Sequence, residues 1–455
     1  MSMIAAQQVV DPPIPALWHN SRWSLSRRLL FRFAFVFFVL SSMLPLAMAA
    51  RRTFHDTFLF PALEPYWAAM SVWTVTHVFG VTEFNSRYLG SDSIVAFARL
   101  ALCLFFAVAA TAIWSVADRH RPNYTVLQEW LRLFMAVVLA LTMLRYGMQK
   151  VMVMQMQPLS PHQLLAPLGL HTPRQLLWAF MGAAPAYQVF TGLLEVFAGL
   201  LLFVPRLMTL GALLTVAVMA NVFALNVAYD VEVKLFACQL LVMAGFLLLP
   251  DLRRLADVFV FNRGSAPVER TRLITNARFA PLAAVLPLVI AAAVTVLTIS
   301  TERAVNRQFG APAPASVPYY GIWDVEEFAL DGTLLPPLTT DSVRWQRVVF
   351  EARDYAYVQR MSGSLIIAAV KVDPGRKTLA FDHGGKPRPE LQELVGANWK
   401  AEFSCDDATP DVLVLTGRYE NRSAKVKLRK SRSRFFLAPH ERQWILRGMP
   451  LFPYV

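Results

Sequence analysis

Long apolar stretches are the feature that most constrains how this chain can fold. A helix that crosses a lipid bilayer needs about 20 mostly apolar residues, and seven stretches of the sequence meet this requirement. They are residues 29–50, 94–117, 126–147, 176–204, 208–229, 233–250 and 280–300. Because residues 29–50 lack a convincing small-residue cleavage pattern, we interpret them as a retained signal anchor. The sequence therefore predicts an α-helical polytopic membrane protein with about seven spans.

Charged residues divide the chain into two parts. Residues 1–300 contain 35 of them, whereas residues 301–455 contain 40 within 155 positions. A soluble domain usually carries about 25% charged residues, so only the second part has the composition of a water-soluble domain. This excludes a single soluble domain and a disordered chain. Three widely spaced cysteines without a CxxC pair argue against a disulfide scaffold or a thioredoxin-like redox pair.

Basic residues in the loops predict the orientation. With the N-terminus in the cytoplasm, the inner loops carry twelve arginines, and the short outer loops carry six basic residues. Cytoplasmic loops are enriched in Lys and Arg, so we expect residues 1–28 to be cytoplasmic and residues 301–455 to be extracytoplasmic, in the periplasm of a Gram-negative cell. The expected location is the inner (cytoplasmic) membrane. Because loop arginines explain most of the positive charge, we expect no nucleic-acid partner.

The C-terminal part changes to a period of two. Ala401, Phe403 and Cys405 alternate with charged or polar neighbours, which is typical of a half-buried strand. Eight strands are predicted, at 322–330, 345–352, 355–360, 366–372, 377–381, 399–405, 411–418 and 424–429. Tight-turn signals such as Asp331-Gly332 separate several of them. We expect an all-β domain, a small antiparallel barrel or sandwich, whose interior either holds a small ligand or is filled by side chains.

Ionisable residues inside predicted spans are costly, and they usually face a partner or a cavity. At the end of the third span, Tyr146 and Lys150 share a helical face, with Gln149 beside it. Glu195 lies in the middle of the fourth predicted span, on a face with Gln188. We predict a polar intramembrane pocket from these residues. A structural ion pair of Glu195 with Lys150 or Arg145 as counter-ion, and an interfacial position of the Lys150 and Arg145 side chains, remain the alternatives.

Three more polar residues are candidates for the same pocket. Asn226 and Asp230 lie four residues apart at the end of the fifth span, and Lys234 opens the sixth. If they point inward, they close the outer end of the pocket; otherwise Asp230 and Lys234 form an interface ion pair at a tight turn. Methionines near residue 152 are typical of gap filling as well as of soft-metal binding, and we predict no metal site.

Residues 125–262 resemble the DoxX/DoxD family of small four-helix membrane proteins. The resemblance depends on an ordered set of short segments rather than on one motif. These are Tyr146-Gly147-Met148-Gln149-Lys150, the loop 158–173, 195–202, Pro205-Arg206, 211–214, Asn226 with Asp230 and Lys234, and 246–251. This chain is a longer form, with extra spans and a C-terminal β domain.

The resemblance implies a polar pocket in a four-helix bundle that faces a quinone. Lys150 and Glu195 match the recurrent polar positions of that family, which is similar to the small subunit of an archaeal thiosulfate:quinone oxidoreductase. The predicted domains are listed here in chain order. They are a cytoplasmic segment (1–28), two spans with an aromatic outer loop (29–124), the DoxX-like bundle (125–262), a basic linker with the last span (263–300), and the extracytoplasmic β domain (301–455).

Three functions fit these features, and the sequence leaves open whether the protein is an enzyme. The first is a quinone-linked redox component of the cell envelope, in which Tyr146, Lys150 and Glu195 relay protons and a redox partner subunit carries the electrons. The second is a non-enzymatic membrane-anchored binding or assembly protein, whose outer β domain holds a lipid or a periplasmic protein. The third is an oligomeric transporter lined by Glu195, Asp230 and Lys234.

Overall fold

The computed structural model describes residues 22–54, 64–84, 92–265, 280–309, 317–351, 355–373, 375–382, 400–433 and 435. The helices, in chain order, are α1 (Leu25–Phe54), α2 (Glu64–His77), α3 (Ile94–Ala117), α4 (Thr125–Val151), α5 (Pro161–Leu165), α6 (Pro173–Ala183), α7 (Pro185–Phe203), α8 (Met208–Ala228), α9 (Lys234–Leu248), α10 (Leu252–Phe259) and α11 (Ala280–Phe309). Short 3-10 turns occupy Leu168–Leu170 and Leu249–Asp251.

The chain folds into two compact units. The helical unit contains Met1–Gln155 and Ala186–Arg303, and the β unit contains Met156–Pro185 and Ala304–Val455. Helices α5 and α6 therefore belong to the same unit as the strands, although they lie between α4 and α7 in the sequence. The predicted domain boundaries remain predictions.

The helical unit contains five helices that are long and apolar enough to cross a membrane within the described residues. They are Ile94–Ala117, Thr125–Val151, Pro185–Phe203, Met208–Ala228 and the run Lys234–Phe259, which includes α9 and α10. The prediction of a multi-pass helical membrane protein is therefore confirmed. The predicted spans 29–50 and 280–300 coincide with α1 and α11. Both spans remain predictions, because some of their side chains lie outside the described set.

The predicted fourth span, 176–204, is two helices rather than one. Helix α6 ends at Ala183, Ala184 has the non-helical angles φ −126° and ψ 66°, and α7 begins at Pro185. Proline has no backbone N–H and disfavours the helical conformation of the residue before it. Pro185 is thus well placed as the first residue of α7 and interrupts the apolar run that the sequence presents as continuous.

The β unit is a closed antiparallel barrel of eight long strands. The strands are β1 (Gly321–Leu330), β2 (Thr333–Leu334), β3 (Trp345–Phe350), β4 (Tyr355–Arg360), β5 (Leu365–Asp373), β6 (Thr378–Asp382), β7 (Lys400–Thr409), β8 (Val412–Tyr419) and β9 (Arg422–Lys430). Neighbouring long strands pair along a meander, and β1 pairs with β9 to close the barrel, while the two-residue β2 pairs with β1. The predicted all-β domain is confirmed, and of the two predicted architectures the barrel is correct.

Aromatic side chains fill the described interior of the barrel. The ring of Trp345, which is fully buried, lies 5.5 Å from Phe328, 5.6 Å from Phe381, 6.1 Å from Phe403 and 5.5 Å from Tyr419, measured between centroids. Such edge and tilted contacts are favourable for aromatic pairs. They belong to one continuous apolar cluster that draws residues from every long strand. Of the two predicted interiors, the one filled by side chains is therefore observed.

Candidate functional site

Helices α4 and α7 approach each other very closely at a pair of glycines. A Cβ atom on Gly147 would lie 2.8 Å from the carbonyl oxygen of Gly192, and a Cβ atom on Gly192 would lie 2.7 Å from that of Gly147. Further along α7, a Cβ atom on Gly199 would lie 3.1 Å from the carbonyl oxygen of Ala140. Small residues at such a crossing let helix backbones pack closely in a membrane. The crossing sets the position of the polar residues around it.

A buried ion pair lies beside this crossing. Lys150 Nζ donates to Glu195 Oε1, and the side chains are only 9% and 3% exposed. Lys150 and Arg145 were the predicted counter-ions for Glu195, and the structure pairs Glu195 with Lys150, whereas Arg145 lies beside Glu302. The second carboxylate oxygen, Glu195 Oε2, is buried and accepts no hydrogen bond from the described part of the chain. Buried polar atoms normally have a hydrogen-bond partner, so Glu195 Oε2 has the capacity to accept one from a ligand.

Gln188 adds a second buried acceptor on the same helix. Its Nε2 donates weakly to the carbonyl oxygen of Lys150 at 3.4 Å, whereas its Oε1 accepts no hydrogen bond from any described residue. Gln188 and Glu195 are separated by seven residues, or two helical turns, so they lie on one face at roughly 10 Å along the axis. The face therefore presents two buried acceptor oxygens that have no hydrogen-bond partner among the described residues.

Glu302 on α11 is a second buried carboxylate near the end of α4. Gln149 Nε2 donates to Glu302 Oε1 at 2.9 Å, and Arg145 Nε lies 3.6 Å from the same oxygen. Sequence reasoning missed Glu302, although it directly follows the last apolar run in Thr301-Glu302-Arg303. The signal was an acid at the end of a predicted span, and finding its partners requires knowledge of which helices are neighbours.

Tyr146 faces a different neighbour from Lys150. Its ring lies 6.1 Å from the ring of Phe236 on α9, and the Arg145 guanidinium carbon lies 5.7 Å from its centroid. Asn226, at the end of α8, is buried, and its Nδ2 donates no hydrogen bond within the described residues. Among the described residues, no hydrogen bond or ion pair joins either residue to the Lys150–Glu195 pair.

Asp230 and Lys234 form a pair of their own outside the bundle core. Lys234 Nζ donates to Asp230 Oδ1 at 2.6 Å, and the Asp230 side chain is 81% exposed. The hydrogen bond from Lys234 lowers the pKa of Asp230 below its ordinary value. Asp92 accepts hydrogen bonds at 2.9 Å from the backbone N–H groups of Lys234 and Leu235, which caps α9. This geometry matches the alternative interpretation, an ion pair at a turn.

A third buried carboxylate, Asp251, is well satisfied. Thr209 Oγ1 donates to its Oδ2 at 2.6 Å, and Arg254 Nη1 donates to its Oδ1 at 3.2 Å. Arg132 Nη2 lies 3.7 Å from Asp251 Oδ2. Because a threonine and two arginines surround this carboxylate, its arrangement is that of a structural ion cluster between helices.

A polar contact in the β unit joins Glu351 to His162. Glu351 Oε1 accepts from the backbone N–H of His162 at 3.0 Å and lies 2.7 Å from His162 Nδ1. The imidazole stacks on the ring of Tyr357 with the centroids 4.2 Å apart. Burial, together with the nearby Tyr355 and Glu351, raises the pKa of Tyr357 well above its ordinary value. These contacts attach the α5 segment to the barrel wall.

Comparison with known proteins finds a relative of this chain. It is 30% identical over 122 residues to the uncharacterized protein YwoB of Bacillus subtilis (strain 168), and the alignment covers 27% of this chain and 77% of that relative. No family model matches the chain. The search of solved structures also gave no match. The candidate site must therefore be interpreted from its own geometry.

Proposed function

The chain belongs to the same protein family as YwoB, and we propose that this membrane protein is a quinone-linked redox component of the cell envelope that binds a quinol in its helical unit. The observation that carries the proposal is the pair of buried, unsatisfied acceptor oxygens, Glu195 Oε2 and Gln188 Oε1. The resemblance of residues 125–262 to the DoxX family supports it, since that resemblance implies a pocket facing a quinone.

The hydrogen-bonding capacity of the site favours the reduced form of the ligand. A quinol carries two hydroxyl donors, whereas a quinone presents two carbonyl acceptors. The nearby donors Lys150 and Gln149 each already donate to a carboxylate, Lys150 to Glu195 and Gln149 to Glu302. The unsatisfied atoms on this face of α7 are acceptors. We therefore expect the site to bind quinol more tightly than quinone.

Each residue has its own role in the proposed oxidation. Oxidation of a bound quinol would release two electrons, which pass to a redox partner subunit, and two protons, which leave one after the other through Glu195. Glu195 Oε2 accepts a hydroxyl proton as a general base, while Lys150 holds Oε1 and fixes the orientation of the carboxylate. Gln188 Oε1 orients the other hydroxyl group by accepting its hydrogen bond. Low dielectric at membrane depth strengthens each of these interactions.

Quinol binding to the full-length protein in lipid nanodiscs tests the proposal. We expect an anaerobic titration to give a lower Kd for a short-chain quinol than for the corresponding quinone. Gln188→Met, which leaves the ion pair intact, should weaken quinol binding. Glu195→Gln should weaken it by roughly 10- to 100-fold, the value of a hydrogen bond to a charged group. Asp230→Asn is the matched control at an exposed carboxylate, and we expect an unchanged Kd.

Two results would contradict the proposal. One is equal affinity for quinol and quinone, because the acceptor oxygens would then not select the ligand. The other is quinol affinity that survives both Gln188→Met and Glu195→Gln in folded protein. Extraction of the gently purified protein, followed by mass spectrometry, provides an independent measurement of whether a native quinone is retained.

The alternative function assigns binding to the β unit. The aromatic core around Trp345 occupies the interior where a lipid would lie, which favours the helical site over a ligand inside the barrel. A protein partner on the outer surface of the barrel remains a proposal, and in-cell crosslinking from the exposed turn at Gly375 tests it. A crosslinked partner that depends on the β unit would support this alternative.

The proposed location is the cytoplasmic membrane, with the N-terminus in the cytoplasm and the β unit outside it. The support is the excess of arginines in the predicted inner loops. Cysteine variants at two exposed positions, Arg263→Cys and Gly375→Cys, each made in a Cys238→Ala background, test the orientation with a membrane-impermeant thiol reagent. We expect Gly375→Cys to react in intact cells and Arg263→Cys to react only after lysis, and the reverse pattern would contradict the proposal.

A further inference from the structure

Helix α10 has one apolar face at the surface of the helical unit. It follows α9 and the 3-10 turn at Leu249–Asp251. Leu252, Leu255 and Phe259 recur at positions i, i+3 and i+7, so they share a face. Leu255 packs against the core of the bundle, which attaches the helix to the unit along part of this face.

The remaining apolar residues of this segment are strongly exposed. Leu252 is 48% exposed, Val258 47%, Phe259 73%, Val260 72% and Phe261 57%. Five large apolar side chains are thus solvent-exposed within ten positions of the chain. A contiguous apolar patch that is rimmed by polar residues is typical of a membrane or protein interaction surface.

Basic residues flank the patch and indicate the chemistry of its partner. Residues 252–263 contain three arginines and one aspartate, which gives this segment a net charge of +2. Arg253 and Arg263 are exposed, and the Arg263 guanidinium carbon lies 5.6 Å from the centroid of the Phe261 ring. An amphipathic helix with a basic side and an apolar side lies in the plane of a membrane interface.

We propose that α10 and residues 260–263 form an interfacial segment that binds anionic phospholipid. Arg253 and Arg263 contact the phosphate groups, while Phe259 and Phe261 enter the acyl-chain region beneath them. Charge complementarity selects anionic over zwitterionic lipid, because each basic residue near an anionic surface contributes attraction. This inference depends on the membrane location of the helical unit and is independent of the quinol site.

Lipid binding to full-length protein tests the charge selection. We expect native mass spectrometry to show tighter retention of phosphatidylglycerol than of phosphatidylcholine with the same acyl chains. The double variant Arg253→Gln/Arg263→Gln should lose roughly fivefold in phosphatidylglycerol affinity for each arginine, the equivalent of about 1 kcal/mol. Arg206→Gln removes an exposed arginine from the turn between α7 and α8 and should leave the affinity unchanged. Equal retention of both lipids, or an equal loss in Arg206→Gln, would overturn the proposal.

A spin label at Phe259→Cys tests the insertion itself. The variant is made in a Cys238→Ala background, since Cys103 and Cys405 are buried and Cys238 is partly exposed. In lipid nanodiscs, we expect dissolved oxygen to relax the label more strongly than a water-soluble nickel chelate does. Stronger relaxation by the chelate would place the segment in water, and protection from both reagents would identify a protein partner or a second copy. Either result refutes lipid as the occupant.

Discussion

Removing both charges of the Lys150–Glu195 pair should harm the fold far less than removing either one. The two side chains are 9% and 3% exposed, so each single substitution leaves the other charged group in a dry environment. The perturbation is the pair of single variants, Lys150→Met and Glu195→Met, together with the double variant. Methionine keeps an unbranched stem, which matters because Lys150 Cβ lies only 2.8 Å from where a Cβ on Gly192 would be.

The expected magnitudes follow from this burial. Breaking a buried ion pair by removing one partner costs about 3–5 kcal/mol in soluble proteins. Polar interactions in membranes have smaller net values because the unfolded chain in the membrane also finds partners, so we expect about 3 kcal/mol for each single variant. The double variant should lie within about 1 kcal/mol of the parent, since a buried pair can be replaced by apolar residues at little cost. The coupling energy is then about 5 kcal/mol.

Unfolding of the full-length protein in mixed micelles, by titration with sodium dodecyl sulfate, measures these free energies. Circular dichroism and tryptophan fluorescence should report the same transition if unfolding is cooperative. A double variant that loses the sum of the single effects would refute the coupling, and single variants within about 0.5 kcal/mol of the parent would indicate a solvated pair. The folded double variant also tests the quinol proposal, because retained quinol affinity would exclude Glu195 as the acceptor.

Two further predictions concern packing and pH. Gly192→Ala should destabilise the helical unit and separate α4 from α7, because the new Cβ would lie 2.7 Å from a backbone oxygen. In the control Gly245→Ala on α9, the new Cβ meets no atom within 4 Å, and the unit should gain about 0.5–1 kcal/mol of stability. Equal shifts of the thermal midpoint in both variants would contradict this prediction. In the β unit, the raised pKa of Tyr357 means that the unfolded chain releases the phenolic proton first. Stability is thus full below about pH 10 and declines as the pH rises further. We expect the thermal midpoint of Tyr357→Phe to fall less steeply above pH 10 than that of the parent, and parallel curves would refute the assignment.

The β unit was largely predictable because strand periodicity is a local property of the sequence. Each of the eight predicted strands coincides with an observed strand to within a few residues, and the Asp331-Gly332 turn has positive φ angles of 49° and 81° as a tight turn requires. Strand β2 was missed because two residues carry no detectable period. Closure through the pairing of β1 with β9 was not predictable, since a meander of this kind is equally compatible with a sandwich.

For the helical unit, hydropathy predicted the positions of the spans but not the helix break or the helix neighbours. Hydropathy located α3 and α8 almost to the residue and α4 to within four residues, because a membrane span is set by its length and apolarity. It did not detect the break at Pro185, which depends on one residue that is favourable at a helix start and unfavourable within a helix. Hydropathy also gives no information on helix neighbours, so Glu302 could not be connected to Arg145 and Gln149 from the sequence.

The candidate site was predicted only in part, because spacing along one helix is a local property and the choice of neighbouring helices is not. Spacing on α7 correctly placed Glu195 and Gln188 on one face, and the charge of Lys150 made it a reasonable counter-ion. Spacing could not distinguish an inward from an outward direction for Asp230, whose side chain lies in the exposed turn beside Lys234. The position of a helix end relative to the core is a tertiary property, and the local sequence is the same in both cases.

The last turns of α4 explain why charged residues are tolerated at this position of the bundle. Consecutive positions here point in different directions around the helix, and each of them meets its own neighbour. Arg145 and Gln149 contact α11 through Glu302, Tyr146 contacts α9, and Lys150 contacts α7. A ligand that drew Lys150 away from Glu195 would therefore disturb the crossing of α4 with α7. A ligand that donates to the unsatisfied oxygens of Glu195 and Gln188 leaves every one of these contacts in place, and for this reason a donor such as a quinol fits the site better than an acceptor.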